Sequence, residues 1–450
     1  MPYERYGTKG ADPSPLGQPI TFSPSGRTAL NRFMKSPMAE GLATWDPKVP
    51  HLRGEPTKDL IELYRRWGEG GWGMIVTGNI DTSFDSLDDI GDMIITPKCE
   101  FRGPRFEKFQ ELAKGAKAHG SFILGQISHP GRQVQYRLNK EAISASDVQL
   151  EPKMDMMFGK PHAASKAEID EIVEGFAYAA EYLEKAGFDG VELHGAHGYL
   201  IAQFLSRRTN KRTDEYGTQT TENRLRFITD IARAIRKRVS PHFIVASKLN
   251  SVEFQDAGVT AEEAQEVCIC LEREGFDFVE LSGGNYESFG LKWEKESTKK
   301  REGFFLEFAK IISEGLSDDS KLKLYLVGGL RTTAAMLEVL NIVDGVSFAR
   351  PAAAEPDFPL KVLIEGVTGS IKPVDGYDSI GGNFAVDLGI AKAQLTQTAR
   401  GYEPIDLSDG EVVKRFQQDI DNWWKNVVAD GDKLEYIRAP EYSGPLKLHE

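Results

Sequence analysis

Cysteine is scarce in this chain of 450 residues, which has three: Cys99, Cys268 and Cys270. Their number and spacing fit neither a disulfide framework nor a zinc or iron–sulfur motif. Long hydrophobic runs are also lacking, since no stretch approaches the roughly 20 apolar residues of a membrane span. The N-terminus has no apolar core of a signal peptide. We therefore expect a cytoplasmic protein that does not enter a membrane.

Basic residues are also fewer than acidic ones. Lys and Arg number 55 against 68 for Asp and Glu, a formal net charge of -13. Nucleic acids and anionic membranes bind clustered Lys and Arg, so the sequence argues against both as partners. A hydrophobic content of 40% is ordinary for a globular protein with a sizeable core.

Short apolar segments alternate with longer amphipathic ones along most of the chain. The short segments are rich in Val, Ile, Leu or Phe, and near-continuous apolar strands of this kind suit a parallel sheet covered by helices. The predicted strands are 32–38, 73–79, 122–128, 189–195, 243–249, 277–283, 323–329 and 345–351.

The stretches between them have apolar positions at helical spacing. Ser165 with Glu168, and Thr260 with Glu263, predict capping boxes at two helix starts. The clearest predicted helices are 57–70, 105–120, 167–187 and 222–238.

Two segments nearly repeat each other: GFDGVELHG at 187–195 and GFDFVELSG at 275–283. Their separation leaves room for two βα units, which supports a serial βα architecture. Eight strands with alternating helices predict an α/β fold, a (β/α)₈ TIM barrel. An open doubly wound sheet is the alternative, disfavoured because the first βα turn lacks a GxGxxG fingerprint.

Three regions are expected. Residues 1–26 are rich in Gly, Pro and Ser and are interpreted as an irregular lead-in. Residues 27–368 form the barrel, and 369–450 form a C-terminal helical extension. The extension is expected to pack on the barrel or on a partner subunit, so a homo-oligomer is an open alternative.

Active sites of such barrels lie at the C-terminal ends of the strands. Small residues follow strands seven and eight, where barrels often hold a phosphate, and an arginine there adds a bidentate cation. The four residues Gly328, Gly329, Ala349 and Arg350 therefore predict a phosphate site.

Strand four delivers His194 and His197, with Tyr199 two residues further. Such a pair could bind zinc, but the neighbouring strand ends carry poor ligands, so no metal is predicted. Buried structural histidines are the other alternative, which the tyrosine spacing and the strand-end position disfavour. Gln126 and Lys248 could hydrogen-bond the edge of a flat heteroaromatic ring, although pairing of Lys248 with a carboxylate remains open.

The motif HGAHGYLIAQFLS, followed by NKRTDEYG and ENR, closely resembles the signature of the Old Yellow Enzymes, the FMN-dependent ene-reductases. NRFMKSPMAE, GQISHPGRQ, VASKLNS, LVGGLRT and VSFARP fall in that family's order along roughly residues 28 to 362. The resemblance implies an oxidoreductase whose TIM barrel holds FMN noncovalently at the strand C-termini.

The resemblance also implies roles for single residues. Gln126 would bond the pyrimidine edge of the flavin, and Lys248 would lie near N1 and O2, where the reduced flavin is negative. The residues beside the ring would be Pro37, Met38, Ala39 and Gly78, and those holding the phosphate would be Gly328, Gly329, Ala349 and Arg350.

In the implied reaction, His194 and His197 bind the carbonyl oxygen of an α,β-unsaturated substrate. Hydride passes from flavin N5 to the β-carbon, Tyr199 protonates the α-carbon, and NADH or NADPH reduces the flavin again. A flavin-dependent dehydrogenase, desaturase or isomerase using the same site is the alternative. A flavin-binding protein without turnover is disfavoured by the intact set of two histidines and a tyrosine.

Some positions depart from the family's commonest pattern. Ala39 stands where Thr or Cys is frequent and cannot tune the flavin potential by a hydrogen bond or a sulfur contact. Lys248 stands where Arg is frequent, giving a point charge in place of a fork. The tail after 368 is not a general family feature.

Overall fold

The structure is a computed structural model, and it shows thirteen strands within its described residues. It describes residues 3–7, 10–153, 156–253, 257–283, 298–374, 384–435 and 439–449. The strands are β1 (Ile20–Phe22), β2 (Arg27–Ala29), β3 (Phe33–Lys35), β4 (Met74–Asp81), β5 (Met93–Ile94), β6 (Phe122–Ser128), β7 (Ile143–Ser144), β8 (His162–Ala163), β9 (Gly190–Gly195), β10 (Ile244–Asn250), β11 (Phe278–Ser282), β12 (Lys323–Val327) and β13 (Gly345–Phe348).

Eight of these strands form a closed parallel ring in the order β3-β4-β6-β9-β10-β11-β12-β13. The ring closes because β3 pairs with β13 on one side and with β4 on the other. The predicted (β/α)₈ barrel is therefore confirmed, and the open sheet is ruled out. Each of the eight predicted strands overlaps one strand of the ring, and β4 and β10 extend past the predicted ends at 79 and 249, to Asp81 and Asn250.

Helices follow each strand of the ring, and two more lie in the C-terminal extension. Both predicted capping boxes are present, at Ser165 and at Thr260. The helices are α1 (Lys58–Glu69), α2 (Pro104–Lys117), α3 (Lys166–Ala186), α4 (Leu200–Leu205), α5 (Thr221–Arg236), α6 (Ala261–Arg273), α7 (Thr298–Gly315), α8 (Thr333–Val339), α9 (Arg350–Ala354), α10 (Phe358–Leu363), α11 (Phe384–Ala399) and α12 (Gly410–Asp430). Among the described residues, we find no helix that combines the length and the apolar character needed to cross a membrane.

The lead-in is not irregular throughout, because β1 and β2 form an antiparallel hairpin. The hairpin residues Ile20 and Phe22 are buried. They pack against Met34, Phe278 and Tyr325, whose side chains point into the ring. The alternate residues of each ring strand, such as Phe33, face outward and pack with the helices in the main core. The hairpin therefore fills the end of the barrel from which the strands start.

The repeated segments owe part of their likeness to this end of the barrel. Asp189 accepts the backbone N–H of Ile123 at 3.0 Å and Asp277 accepts that of Val245 at 2.9 Å, so each carboxylate joins its strand to the preceding one. Asp189 also accepts from Arg27 at 2.6 Å, which ties the hairpin to the ring.

The extension packs on the barrel. Helix α11 lies against α1 and α9, and its Leu395 and Ala399 belong to the main core. A second core between α11 and α12 contains Ile390, Phe416 and Ile420. The domain limits at 26/27 and 368/369 stay predictions.

We expect Phe22→Ala to lower the free energy of unfolding by about 3–5 kcal/mol, because it leaves a cavity in the barrel interior. Phe22 is fully buried. Thr21→Ala, an exposed position on the same strand, should cost less than about 0.5 kcal/mol. Urea unfolding of the three proteins measures both values, and equal losses would show that the hairpin does not plug the barrel.

Candidate active site

Strand β9 places two imidazoles at the C-terminal mouth of the barrel. His194 is the penultimate residue of β9 and is buried. His197 follows in the left-handed region, with φ 56°, which turns its ring back toward His194. The two ring centroids lie 5.2 Å apart at 80°.

Both imidazoles are neutral near pH 7. Burial lowers the pKa of His197 to about 3, helped by the charge of Lys248. The pKa of His194 is lowered as well, by burial, then by His197 and Lys248. The N–H of Ala196 donates a long hydrogen bond of 3.4 Å to His194 Nδ1.

Neighbouring strands hold His197 in place. Asn250, at the end of β10, accepts the His197 backbone N–H at 3.2 Å. Ser282, at the end of β11, lies 2.9 Å from His197 Nε2 through its hydroxyl. The ring is therefore oriented from two sides before any ligand binds.

Tyr199 stands at the start of α4, as its N-cap residue. Its ring centroid lies 4.4 Å from that of His194, at 65°. Tyr199, His197 and Ala39 line one cavity of about 260 Å³. The structure thus brings the predicted histidines and tyrosine together beside one of the residues predicted for the flavin.

A buried charged network lies deeper in the ring. Lys248 donates to Glu280 at 2.6 Å and to the Ser36 hydroxyl at 2.9 Å. Glu280 also accepts from Ser36 at 2.7 Å and from Ser347 at 2.5 Å. The alternative of a carboxylate partner for Lys248 is therefore the arrangement found, and its role beside a flavin stays a prediction.

Gln126 has a carboxylate partner too. Its amide Nε2 donates to Glu192 at 2.8 Å. Burial and the nearby Glu280 raise the pKa of Glu192 well above its usual range, which favours the protonated acid. Gln126 and Lys248 thus belong to one polar layer inside the barrel.

Glu192 and Glu280 escaped the sequence analysis, although a signal for them existed. They occupy the same position in the two repeated segments, as the E of VEL. Each lies two residues before a site residue, His194 or Ser282, and so shares its face of the strand. A glutamate at the same position of two otherwise apolar predicted strands indicates a polar layer in the barrel interior.

Gly78 and its neighbours lie at the ends of β3 and β4. The Gly78 N–H donates to Glu40 at 2.8 Å, and a Cβ there would lie 2.3 Å from the Met38 carbonyl oxygen. Pro37 and Met38 are half-buried on the segment after β3. The strand pair is therefore held close by a residue without a side chain, while direct contact of Gly78, Pro37 or Met38 with a flavin stays a prediction.

The predicted phosphate residues lie at the ends of β12 and β13. Gly328 and Gly329 both have positive φ, 102° and 78°, so a side chain at either would strain the turn. Ala349 caps α9, and Arg350 begins it. Arg350 lines a small cavity together with Arg331, a second guanidinium that the sequence analysis did not single out.

Closed parallel barrels carry their chemistry at this mouth, and the chain is accordingly a (β/α)₈-barrel enzyme. A family model described as the NADH:flavin oxidoreductase / NADH oxidase family matches residues 15–365, and the chain belongs to that family. The resemblance to the Old Yellow Enzymes is thereby confirmed, as is the assignment as an oxidoreductase that uses FMN and a nicotinamide reductant.

Relatives cover nearly all of the chain. It is 44% identical over 439 residues to the NADH-dependent flavin oxidoreductase nadA of Aspergillus parasiticus, covering 97% of both chains. An old yellow enzyme homologue from Zymomonas mobilis has a similar structure, with TM-score 0.64 and 23% identity over 79% of this chain and 94% of that one. A 2-naphthoyl-CoA reductase in complex with 2-naphthoyl-CoA gives TM-score 0.70 at 24% identity, covering 85% of this chain and 58% of that one.

The residues present fit FMN. Arg331, Arg350 and Ser370 line one cavity, and two guanidinium groups with a hydroxyl match the charge and hydrogen-bonding needs of a phosphate. Gly328 and Gly329, which come shortly before Arg331 in the chain, have positive φ, and their lack of side chains allows a ligand to approach backbone N–H groups. The amide and ammonium groups of Gln126 and Lys248 are polar groups of the kind that the edge of a flavin ring requires.

We expect Lys248→Met to lower the free energy of unfolding by about 3–5 kcal/mol, because it leaves Glu280 buried without its cation. The two side chains are 4% and 0% exposed. The double variant Lys248→Met/Glu280→Gln should recover most of this loss. Urea unfolding in saturating FMN gives the values.

The matched control is Lys372→Met, the same change in an exposed pair with Glu4, for which less than about 1 kcal/mol is expected. Equal losses of stability in the Lys248 and Lys372 variants would show that the buried network contributes no more to stability than an exposed ion pair does.

Proposed function

We propose that this enzyme is an ene-reductase: it reduces the C=C bond of an α,β-unsaturated carbonyl compound with electrons from NADH. The observation that carries the proposal is the cluster of two imidazoles and a phenol at the barrel mouth. His197 and Tyr199 of this cluster line one cavity. The name of the Aspergillus relative supports NADH as the reductant.

His194 and His197 bind the substrate carbonyl oxygen in this proposal. A neutral imidazole can donate an N–H to that oxygen without placing a buried positive charge in the site. As negative charge develops on the oxygen, preorganised donors of this kind stabilise it by roughly 2.7–4 kcal/mol each. Asn250 and Ser282 support this role because they orient His197 beforehand.

Tyr199 is the proposed general acid. Its ring lies against His194, so its hydroxyl and the imidazoles serve one substrate from the same side. The phenol donates its proton to the α-carbon, typically worth about 10²–10⁴ in rate.

FMN is held by groups at three places. Pro37, Met38, Ala39 and Gly78 lie at one edge of the mouth, Gln126 and Lys248 in the ring, and Gly328, Gly329, Ala349 and Arg350 at the phosphate end. When bound there, FMN supplies hydride transfer between NADH and the substrate. Arg331 joins the phosphate group in this proposal because it lines the same cavity as Arg350.

Tyr199→Phe tests the acid. Stopped-flow reduction of the bound flavin by NADH should proceed at the wild-type rate, since that step needs no proton from Tyr199. Anaerobic reduction of 2-cyclohexenone, followed by product analysis, should slow by about 10²-fold or more.

Tyr178→Phe is the control, a tyrosine that donates to the Cys99 carbonyl, remote from the mouth, and both half-reactions should survive it. Equal slowing of both half-reactions in Tyr199→Phe would remove Tyr199 from the acid role. A wild-type enzyme that reduces no enone but oxidises the saturated ketone would show a dehydrogenase in place of an ene-reductase.

A further inference from the structure

The C-terminal extension forms one wall of the cavity that contains His197 and Tyr199. Leu388 of α11 and Trp423, Trp424 and Val427 of α12 line that cavity with them. These four side chains are apolar or aromatic, and they come from a part of the chain that follows the barrel. The substrate site therefore consists of a barrel floor and a wall from the extension.

Several contacts anchor this wall to the barrel. Lys392 of α11 donates to Asp89 at 2.6 Å, with its side chain 9% exposed. Arg137 lies 3.5 Å from Asp430, the last residue of α12, and donates to the carbonyl of Gly431 at 3.2 Å. Each end of the wall is thus joined to a loop of the barrel.

The two indoles of the wall lie next to each other, and both line the cavity. Trp423 and Trp424 have ring centroids 5.7 Å apart, at 56°, and Trp423 rests on Gly389 of α11, where a Cβ would lie 3.4 Å from the indole. Two adjacent indoles cover more area than one six-membered ring. Flat aromatic ligands bind such surfaces by stacking and by loss of apolar area from water.

The charged side chains of the cavity are mostly acidic. Its two cations, Lys392 and Arg137, are already engaged with Asp89 and Asp430. Two further carboxylates, Asp88 and Glu435, also line it. An anionic ligand would meet this excess of carboxylates and would find each cation committed to another partner.

We propose that the extension is the substrate-recognition wall of this enzyme, and that it selects a neutral, flat aromatic carbonyl compound of more than one ring over single-ring and anionic ones. The proposal rests on the proposed function only for the carbonyl group. The size and charge preferences follow from the wall alone, so binding measurements test them without turnover.

The test is titration of the FMN-loaded enzyme with three probes, followed by the visible absorbance of the flavin: phenol, 2-naphthol and 6-hydroxy-2-naphthoate. For the wild type, 2-naphthol should bind about tenfold more tightly than phenol. Trp424→Ala should remove this advantage while it changes phenol affinity less than about threefold. Val428→Ala, an exposed position on the same helix, should leave both affinities unchanged.

The charged probe tests the acidic character. The naphthoate should bind at least about tenfold more weakly than 2-naphthol at about 20 mM salt, with a smaller gap at about 500 mM salt, where the charges are screened. Naphthoate binding as tight as that of 2-naphthol, or equal loss of phenol and 2-naphthol in Trp424→Ala, would overturn the proposal. Should Trp424→Ala not fold, Trp424→Leu gives the same comparison.

This test and the test of the proposed function can fail independently of each other. A wild type that reduces no enone but keeps the 2-naphthol preference would refute the ene-reductase and keep the wall. A wild type that reduces enones but binds phenol and 2-naphthol alike would refute the wall alone.

Discussion

The alternation of side chains along each strand of a closed barrel is the constraint on which the structure depends. One parity of every strand must face the helices, and the other must fill the ring. Along β11 the inward residues are Phe278, Glu280 and Ser282, which run from apolar to charged to hydroxyl. The same gradient on β9 ends in His194. The same alternation therefore gives inward-facing residues that pack the barrel where the strands start and polar residues at the mouth where they end.

The middle of that gradient contains buried charged groups. Lys248 and Glu280 are buried beside each other, and a lone charge there would be strongly destabilising. Their hydrogen bonds to Ser36 and Ser347 join β10 and β11 to the first and last strands of the ring. The network thus orders the layer on which the mouth residues rest. Burial lowers the pKa of His197, and the charge of Lys248 in this network lowers it further.

The mouth is completed from outside the barrel. Helices α11 and α12 have a small core of their own, yet α11 also shares the barrel's main core through Leu395. This double attachment holds Trp424 in the lining of the cavity that His197 and Tyr199 also line. A fold used for many reactions obtains its particular cavity here from a segment added after the last strand.

The sequence by itself determined the eight ring strands, the capped helices and the position of the two histidines and the tyrosine, because these depend on local periodicity and on where a strand ends. It did not determine that residues 20–29 form a plug or that Glu280 contacts Lys248. Nor did it determine that Arg331 lines a cavity with Arg350, or that Trp424 lines one with Tyr199. Those contacts join residues far apart in the chain. Only closure of the ring and docking of the extension bring them together, since burial of a charge or an indole is a property of its neighbours and not of its own segment.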